Sequence, residues 1–254
     1  MGVRCSDGVV IGCDSIATSS AGPFELMHIP FDGKIQVFED SVILATTGSI
    51  GYAQRLGEQV AAAVKGNVFR NFDAREATNN ISKRFLTDLQ SSMAPRHTSG
   101  GLRFGSLIAA HVKNGGLMLA EFGPDDFQPE LKTEKIFFVS MGSGQVLADP
   151  FLAFVTRIMW KNTMPTVDEA KFGVYWVLDH TLRLAPGKVG PPIRLFALRD
   201  VAGKWVAAEQ DTQEFGQYVQ ELEDHIGKFI RAPIEEATTT PVPQAPTAPD
   251  PAEV

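Results

Sequence analysis

Helices arrive in pairs along this chain, separated by runs of short strands, and that order restricts the possible folds more than any single motif. Apolar residues alternate through residues 3–5 and 9–13, then through 34–38 and 41–46. The period then changes: Ile50, Ala53, Leu56, Val60 and Val64 recur at helical spacing. A second helix follows over 74–93, with Asp73 as N-cap and Ile81, Phe85, Leu89 and Met93 on one face. Strands return at 106–112, 117–122 and 136–141. Two more helices are predicted over 145–160 and from Thr166 to about Leu184, the latter opened by the capping box Thr166-Val167-Asp168-Glu169. Strands at 193–199 and 204–208 and an amphipathic helix over 213–230 complete the pattern. Single crossover helices between parallel strands are missing from this order. It favours two largely antiparallel sheets, each covered by a helix pair.

The turns carry their own signals. Asp7-Gly8 predicts a tight hairpin that sets Cys5 against Val10 and Asp14 opposite Met1. Cys13 then lies roughly 10 Å from Cys5 along the strand, too far for a disulfide. The two cysteines read as small apolar residues of a reducing cytoplasm. A loop is expected around Gly22, Pro23 and Pro30, another turn at Glu39-Asp40, and a further loop over 94–104. From Pro233 the composition shifts to Pro, Thr, Ala and acids, with six prolines before the end. Residues 233–254 are expected to be a disordered tail whose removal leaves stability unchanged, which leaves 1–232 as one folded domain.

Composition excludes several classes. The net charge is -7, with no basic block, so nucleic acid is not an expected partner. The longest apolar runs are strand-sized, which argues against a membrane span, and no export leader precedes the first strand. His28, His97, His111, His180 and His225 are scattered without ligand spacing, so no metal is expected. No glycine-rich phosphate loop is present. No cofactor is expected, and any dependence on ATP would come from a partner.

Four segments together resemble the proteasome β-subunit and its bacterial relatives: Met1 to Thr18, Gly33-Lys34-Ile35, Thr47 to Gln54, and Met141-Gly142-Ser143-Gly144. The stretch Gly142 to Phe154 is similar to a bacterial proteasome-like group in particular. Each motif is common alone; their order and separation over residues 1–230 carry the likeness. The resemblance implies the N-terminal-nucleophile hydrolase fold, an α+β four-layer αββα sandwich. It implies a threonine-type peptidase subunit of a cytoplasmic homo-oligomeric ring that degrades peptides or unfolded proteins, with a possible unfoldase ATPase as partner. In such enzymes an N-terminal hydroxyl is activated by its own α-amine, and a nearby cation keeps that amine neutral.

Residue by residue, Lys34 matches the catalytic cation and Asp14 its acidic partner. Gly48 matches the glycine whose N–H stabilises the oxyanion. Ser143 matches a serine that assists proton transfer, and serves equally well as a helix N-cap. Thr46, Ala21 and Ser49 match substrate-pocket positions. Two departures stand against the resemblance. Met1 falls where the family has a valine, so the nucleophile is expected about three residues upstream of a late start. Ala185-Pro186-Gly187-Lys188-Val189 also lacks the acid and hydroxyl that the family often carries there. A structural ring subunit without activity, or an amidase on the same fold, remains open on these grounds.

Overall fold

The computed structural model describes residues 1–21, 24–92 and 102–231. The expected tail from Pro233 and most of the 94–104 loop lie outside the described residues. The chain divides into two units, Met1–Gly216 and the remainder from Gln217.

The first unit is an αββα sandwich. One sheet joins β1 (Gly2–Arg4), β2 (Gly8–Cys13), β10 (Phe138–Val139), β11 (Arg194–Val201) and β12 (Lys204–Gln210) in the order β10-β1-β2-β11-β12. The other joins β5 (Ile35–Phe38), β6 (Val42–Thr47), β7 (Gly105–Val112), β8 (Gly116–Phe122) and β9 (Pro129–Leu131) in sequence order. Every pairing is antiparallel. Helices α4 (Gln145–Ile158) and α5 (Val167–Leu184) cover the first sheet. Helices α1 (Ile50–Lys65) and α3 (Ala74–Ser92), joined by the short α2 (Val68–Asn71), cover the second. The paired-helix reading of the sequence is the fold observed.

Local chemistry explains these elements. Glu39 and Asp40 both have positive φ, 47° and 49°, at the centre of a turn that the Ser41 N–H closes onto the Phe38 carbonyl at 3.0 Å. Asp73 accepts from the Glu76 N–H at 2.9 Å, and Thr166 and Glu169 complete a reciprocal capping box on α5. Between the sheets, Val9, Ile11, Ile43, Leu107, Leu119 and Leu198 are buried. Beneath α1 and α3, Phe85, Phe104, Phe122 and Phe127 form a cluster with centroids 4.5–5.9 Å apart. Each such fully buried side chain contributes roughly 1.5–3 kcal/mol.

Three expectations are corrected. The first hairpin turns at Ser6-Asp7, one residue earlier than expected, because the Cys5 N–H closes onto the Gly8 carbonyl at 2.8 Å. Val3 therefore faces Val10, and Met1, not opposite Asp14, pairs with Gly12. From the turn's second central position, the Asp7 carboxylate accepts from the Val167 N–H at 2.8 Å and ties the hairpin to the start of α5. The loop expected around Pro23 is flanked by two strands, β3 (Ile16–Ala21) and β4 (Phe24–Pro30), which pair with each other. The strand expected over 136–141 shrinks to the two residues of β10, while β9 was absent from the pattern. Both cysteines are free.

The second unit contains most of α6 (Phe215–Arg231), whose Val219, Leu222, Ile226 and Phe229 recur at helical spacing. Among the described residues, no helix is long and apolar enough to cross a membrane.

Candidate functional site

Strand ends build the site. β2 finishes at Cys13, so Asp14 follows at the sheet's edge; β5 starts at Ile35, so Lys34 precedes it on the facing sheet. Their side chains meet across the sandwich, with the Lys34 Nζ 2.5 Å from the Asp14 Oδ1. The other carboxylate oxygen accepts the Gly190 N–H at 3.1 Å and the Ile16 N–H at 3.4 Å. Asp14 is 8% exposed. Its carboxylate meets one cation and two backbone donors, so its oxygens are not left unpaired at that depth. Lys34 is held from the backbone as well: its carbonyl accepts the Thr46 N–H at 2.9 Å.

Gly48 sits where β6 gives way to α1, at φ 97°. A Cβ there would lie 2.3 Å from the Arg103 carbonyl oxygen, so both conformation and space demand glycine. Gly142 has the same φ, 97°, and turns the chain into α4. Ser143 is exposed and donates through its hydroxyl to the Lys188 carbonyl at 3.0 Å. Gly144 is the N-cap of α4 and has no side chain to cap with. The capping role expected as one alternative for Ser143 is therefore not what its hydroxyl does. The segment without acid or hydroxyl, 185–189, instead reaches Ser143 with a backbone oxygen.

Two adjoining cavities flank the ion pair. One, of about 80 Å³, is lined by Met1, Cys13, Asp14, Lys34, Ser140 and Ser143 among others. The second, of about 350 Å³, is lined by Ile16, Ala17, Phe31, Lys34, Thr46, Thr47, Gly48, Ile50, Ala53, Ser143 and Lys188. Lys34, Thr46, Thr47 and Ser143 face both. The structure thus brings together Asp14, Lys34, Gly48, Ser143 and Thr46. Ser49 is the N-cap of α1 and is not on either wall; Ile50 and Ala53 stand there instead. Ala21 ends β3, and its side chain lies outside the described residues. Thr47, Phe31 and Lys188 escaped the sequence reading. Thr47 had a signal, its place beside Gly48 at a strand end; the main-chain role of Lys188 had none.

The Met1 amine is buried and donates to the Gly12 carbonyl at 2.8 Å. Burial pushes its pKa below the ordinary value, and Lys34 adds to that, while Cys13 and Asp14 oppose it. Burial also raises the Cys13 thiol to about 11, against the pull of the amine and Lys34. Cys13 is therefore a protonated thiol at neutral pH. On the wall of the same cavity Ser140, 3% exposed, donates to Asp149. Among the described residues, no group of three metal-ligating side chains occurs.

Comparison with known proteins adds the fold's relatives. No protein-family model matches the chain, and no curated protein is similar to it. Solved structures do match. The Anbu (Gly-1) mutant from Hyphomicrobium sp. strain MC1 aligns with TM-score 0.68 at 16% identity, over 90% of this chain and 94% of that one. Anbu (ancestral beta-subunit) from Yersinia bercovieri aligns with TM-score 0.66 at 16% identity, over 93% and 98%. The helical assembly of the Anbu complex from Pseudomonas aeruginosa gives TM-score 0.66 at 15% identity, over 90% and 94%. The family expected from the motifs is corrected by these matches: Anbu proteins are proteasome-like but distinct from the proteasome β-subunits that the motifs resemble. At such identity the likeness extends to the fold alone, which is the N-terminal-nucleophile hydrolase, proteasome-like αββα sandwich.

Proposed function

We propose that this chain is a self-assembling subunit of a proteasome-like complex, and that in the form beginning at Met1 it has a structural rather than a hydrolytic role. One observation carries the second half. Met1 lines the same cavity as Lys34, and its α-amine is buried on the Gly12 carbonyl with a thioether as its side chain. A thioether cannot attack a carbonyl, and the nearest thiol, Cys13, is held protonated. The assembly half is supported by the fold shared with an Anbu complex described as a helical assembly. On this reading residues 1–232 form the assembling domain and 233–254 a tail, in the cytoplasm.

A threonine-type peptidase is the second reading, and the preserved Asp14–Lys34 pair with Gly48 and Ser143 at the same cleft favours it. It requires a residue with both a hydroxyl and a free amine ahead of Met1. Peptides or unfolded proteins would then be the substrate, fed by an unfoldase ATPase, with Thr46 in the pocket; a small amide is the alternative.

The test compares the chain beginning at Met1 with one extended by three residues whose first, after processing, is Thr. Light scattering reports assembly, and fluorogenic peptides with a Thr-directed covalent inhibitor report activity. The expected result is assembly of the Met1 form without cleavage or labelling. Cleavage by the Met1 form would overturn the structural reading. Labelling of the extended form at its first residue, with a rate gain of several orders of magnitude, would establish the peptidase reading for that form.

A further inference from the structure

The end of the sandwich away from the cleft holds a groove of its own. β5 begins beside Lys34 and ends beside Glu39, so the β5–β6 turn lies a full strand from the ion pair. Here the two sheets are tied together: the Ala207 N–H of β12 donates to the Asp40 carbonyl at 2.7 Å. Between that turn, the start of β12 and α2 opens a groove of about 380 Å³. This is in the range of small-molecule pockets, roughly 300–1,000 Å³. Tight turns frame it: Glu39, Asn67 and Gly203 line the groove with φ of 47°, 54° and 83°. Non-glycine residues persist in that region only where their surroundings fix them, so the rim is preformed. The lining has two characters. Val42, Val64 and Phe69 are buried and apolar, and the half-buried Trp205 stacks on His111 with centroids 4.9 Å apart. Arg70 and Lys204 are exposed cations, and among the described residues neither is paired with a carboxylate. Glu39 supplies the lining's acid. On a chain of net charge -7, two cations against one acid reverse the sign locally.

We propose that this groove binds a small aromatic anion, its ring against Trp205 and the apolar lining and its charged group met by Arg70 and Lys204. The inference goes beyond the assembly reading and does not depend on it. Each half of the lining selects half of the ligand. Aromatic and aliphatic side chains take a flat ring, which buries a large area at small entropic cost. A guanidinium grips a carboxylate or phosphate through paired N–H donors, and an ammonium adds a point charge. A bare anion would leave the apolar lining wet. An uncharged ring would make no use of the two cations. A flat ring carrying an acid satisfies both, and a nucleoside monophosphate and an aromatic carboxylate share that chemistry. Glu39 opposes it in part, which makes the charge balance open to test.

The experiment uses the full chain, with circular dichroism and thermal unfolding as fold controls. Of its three tryptophans, Trp160 and Trp176 are 4% and 5% exposed, so Trp205 is the indole that a ligand in the groove should quench. AMP and phenylacetate probe the two sources of the ligand. Adenosine and benzyl alcohol carry a ring without the charge; inorganic phosphate and acetate carry the charge without a ring. AMP or phenylacetate should quench saturably, with the four partial probes binding at least tenfold more weakly, and the tighter of the two identifies the source. Arg70→Gln with Lys204→Gln should weaken that binding at least tenfold, and Glu39→Gln should tighten it. Trp205→Phe should abolish the response. Should the double variant fail to fold, a salt titration of the wild type replaces it: affinity should fall as ions screen the exposed cations. No saturable quenching by either anion, or a response that survives Trp205→Phe, overturns the site. Equal binding of the uncharged rings, an affinity indifferent to the double variant or to salt, or a Glu39→Gln variant that binds no tighter overturns the anionic half. Equal binding of the ringless anions overturns the aromatic half.

Discussion

Two of the largely buried lysines in this sandwich, Lys132 and Lys34, are built differently. Lys132 follows β9; its side chain is 5% exposed, and its ammonium touches Glu121 and Glu130 at 2.6 Å each. Burial alone would lower its pKa, but hydrogen bonds to the two glutamates outweigh that and raise it. Lys34 has a single carboxylate, Asp14, and stays 22% exposed at the edge of two cavities. The first lysine is held between two carboxylates. The second is anchored on one side and open on the other. A buried cation that still has room beside it can act on something that enters, whereas one enclosed by two carboxylates can only hold strands together. The comparison separates a structural ion cluster from a candidate site without appeal to any motif.

Removing each lysine should expose that difference. The largest effect is expected for Lys132→Ala, which leaves Glu121 largely buried without its partner. A loss of about 3 kcal/mol is expected in urea unfolding, the range for breaking a buried pair from one side. Adding Glu121→Gln should recover most of it. A loss below ~1 kcal/mol for the single variant would mean that water already screens the cluster.

Lys34→Met should cost less, about 1–2 kcal/mol, because Asp14 keeps the N–H groups of Gly190 and Ile16. In a form with an N-terminal Thr, the same variant should abolish labelling by the covalent inhibitor, while Lys132→Met leaves it intact on the folded protein. Equal loss of labelling in both would mean that the two lysines do not differ in this role.

The smallest effect concerns alkaline pH. Lys132 is raised above its ordinary value of 10.5, so the folded chain holds a proton that the unfolded chain releases. Its contribution is complete below pH 10.5 and falls as pH rises through the folded pKa. The stability difference between wild type and Lys132→Met should therefore be flat up to about pH 10 and narrow above it, by no more than about 1.4 kcal/mol per pH unit. A difference that widens with pH would reverse the sign and discard the ion-cluster account.

Legibility in the sequence followed the range of the interactions. The Glu39-Asp40 turn, the Thr166–Glu169 capping box and the spacing of α1 are decided by residues a few positions apart, and each could be read directly. Short strands escaped where their pairing is distant or their composition mixed. β9 has three residues and exists because β8 lies beside it. β3 and β4 were hidden by the glycine and proline between them. The turn at Ser6-Asp7 went unread because its carboxylate is claimed by Val167, 160 positions away.

The same rule divides the site. Asp14, Lys34, Gly48, Ser143 and Thr46 were legible only as positions in a resemblance; nothing local in Asp14 announces a lysine twenty residues on. What the sequence by itself determined was the order of elements, and through it two antiparallel sheets with paired helices, because amphipathic period and capping are local properties. Tertiary structure alone decided the register that pairs Met1 with Gly12, the Gly190 N–H on Asp14, the Lys188 carbonyl on Ser143 and the substitution of Ile50 for Ser49 on the cavity wall. Backbone groups are identical at every residue, so which of them will face a carboxylate or a hydroxyl is settled only when distant segments pack together.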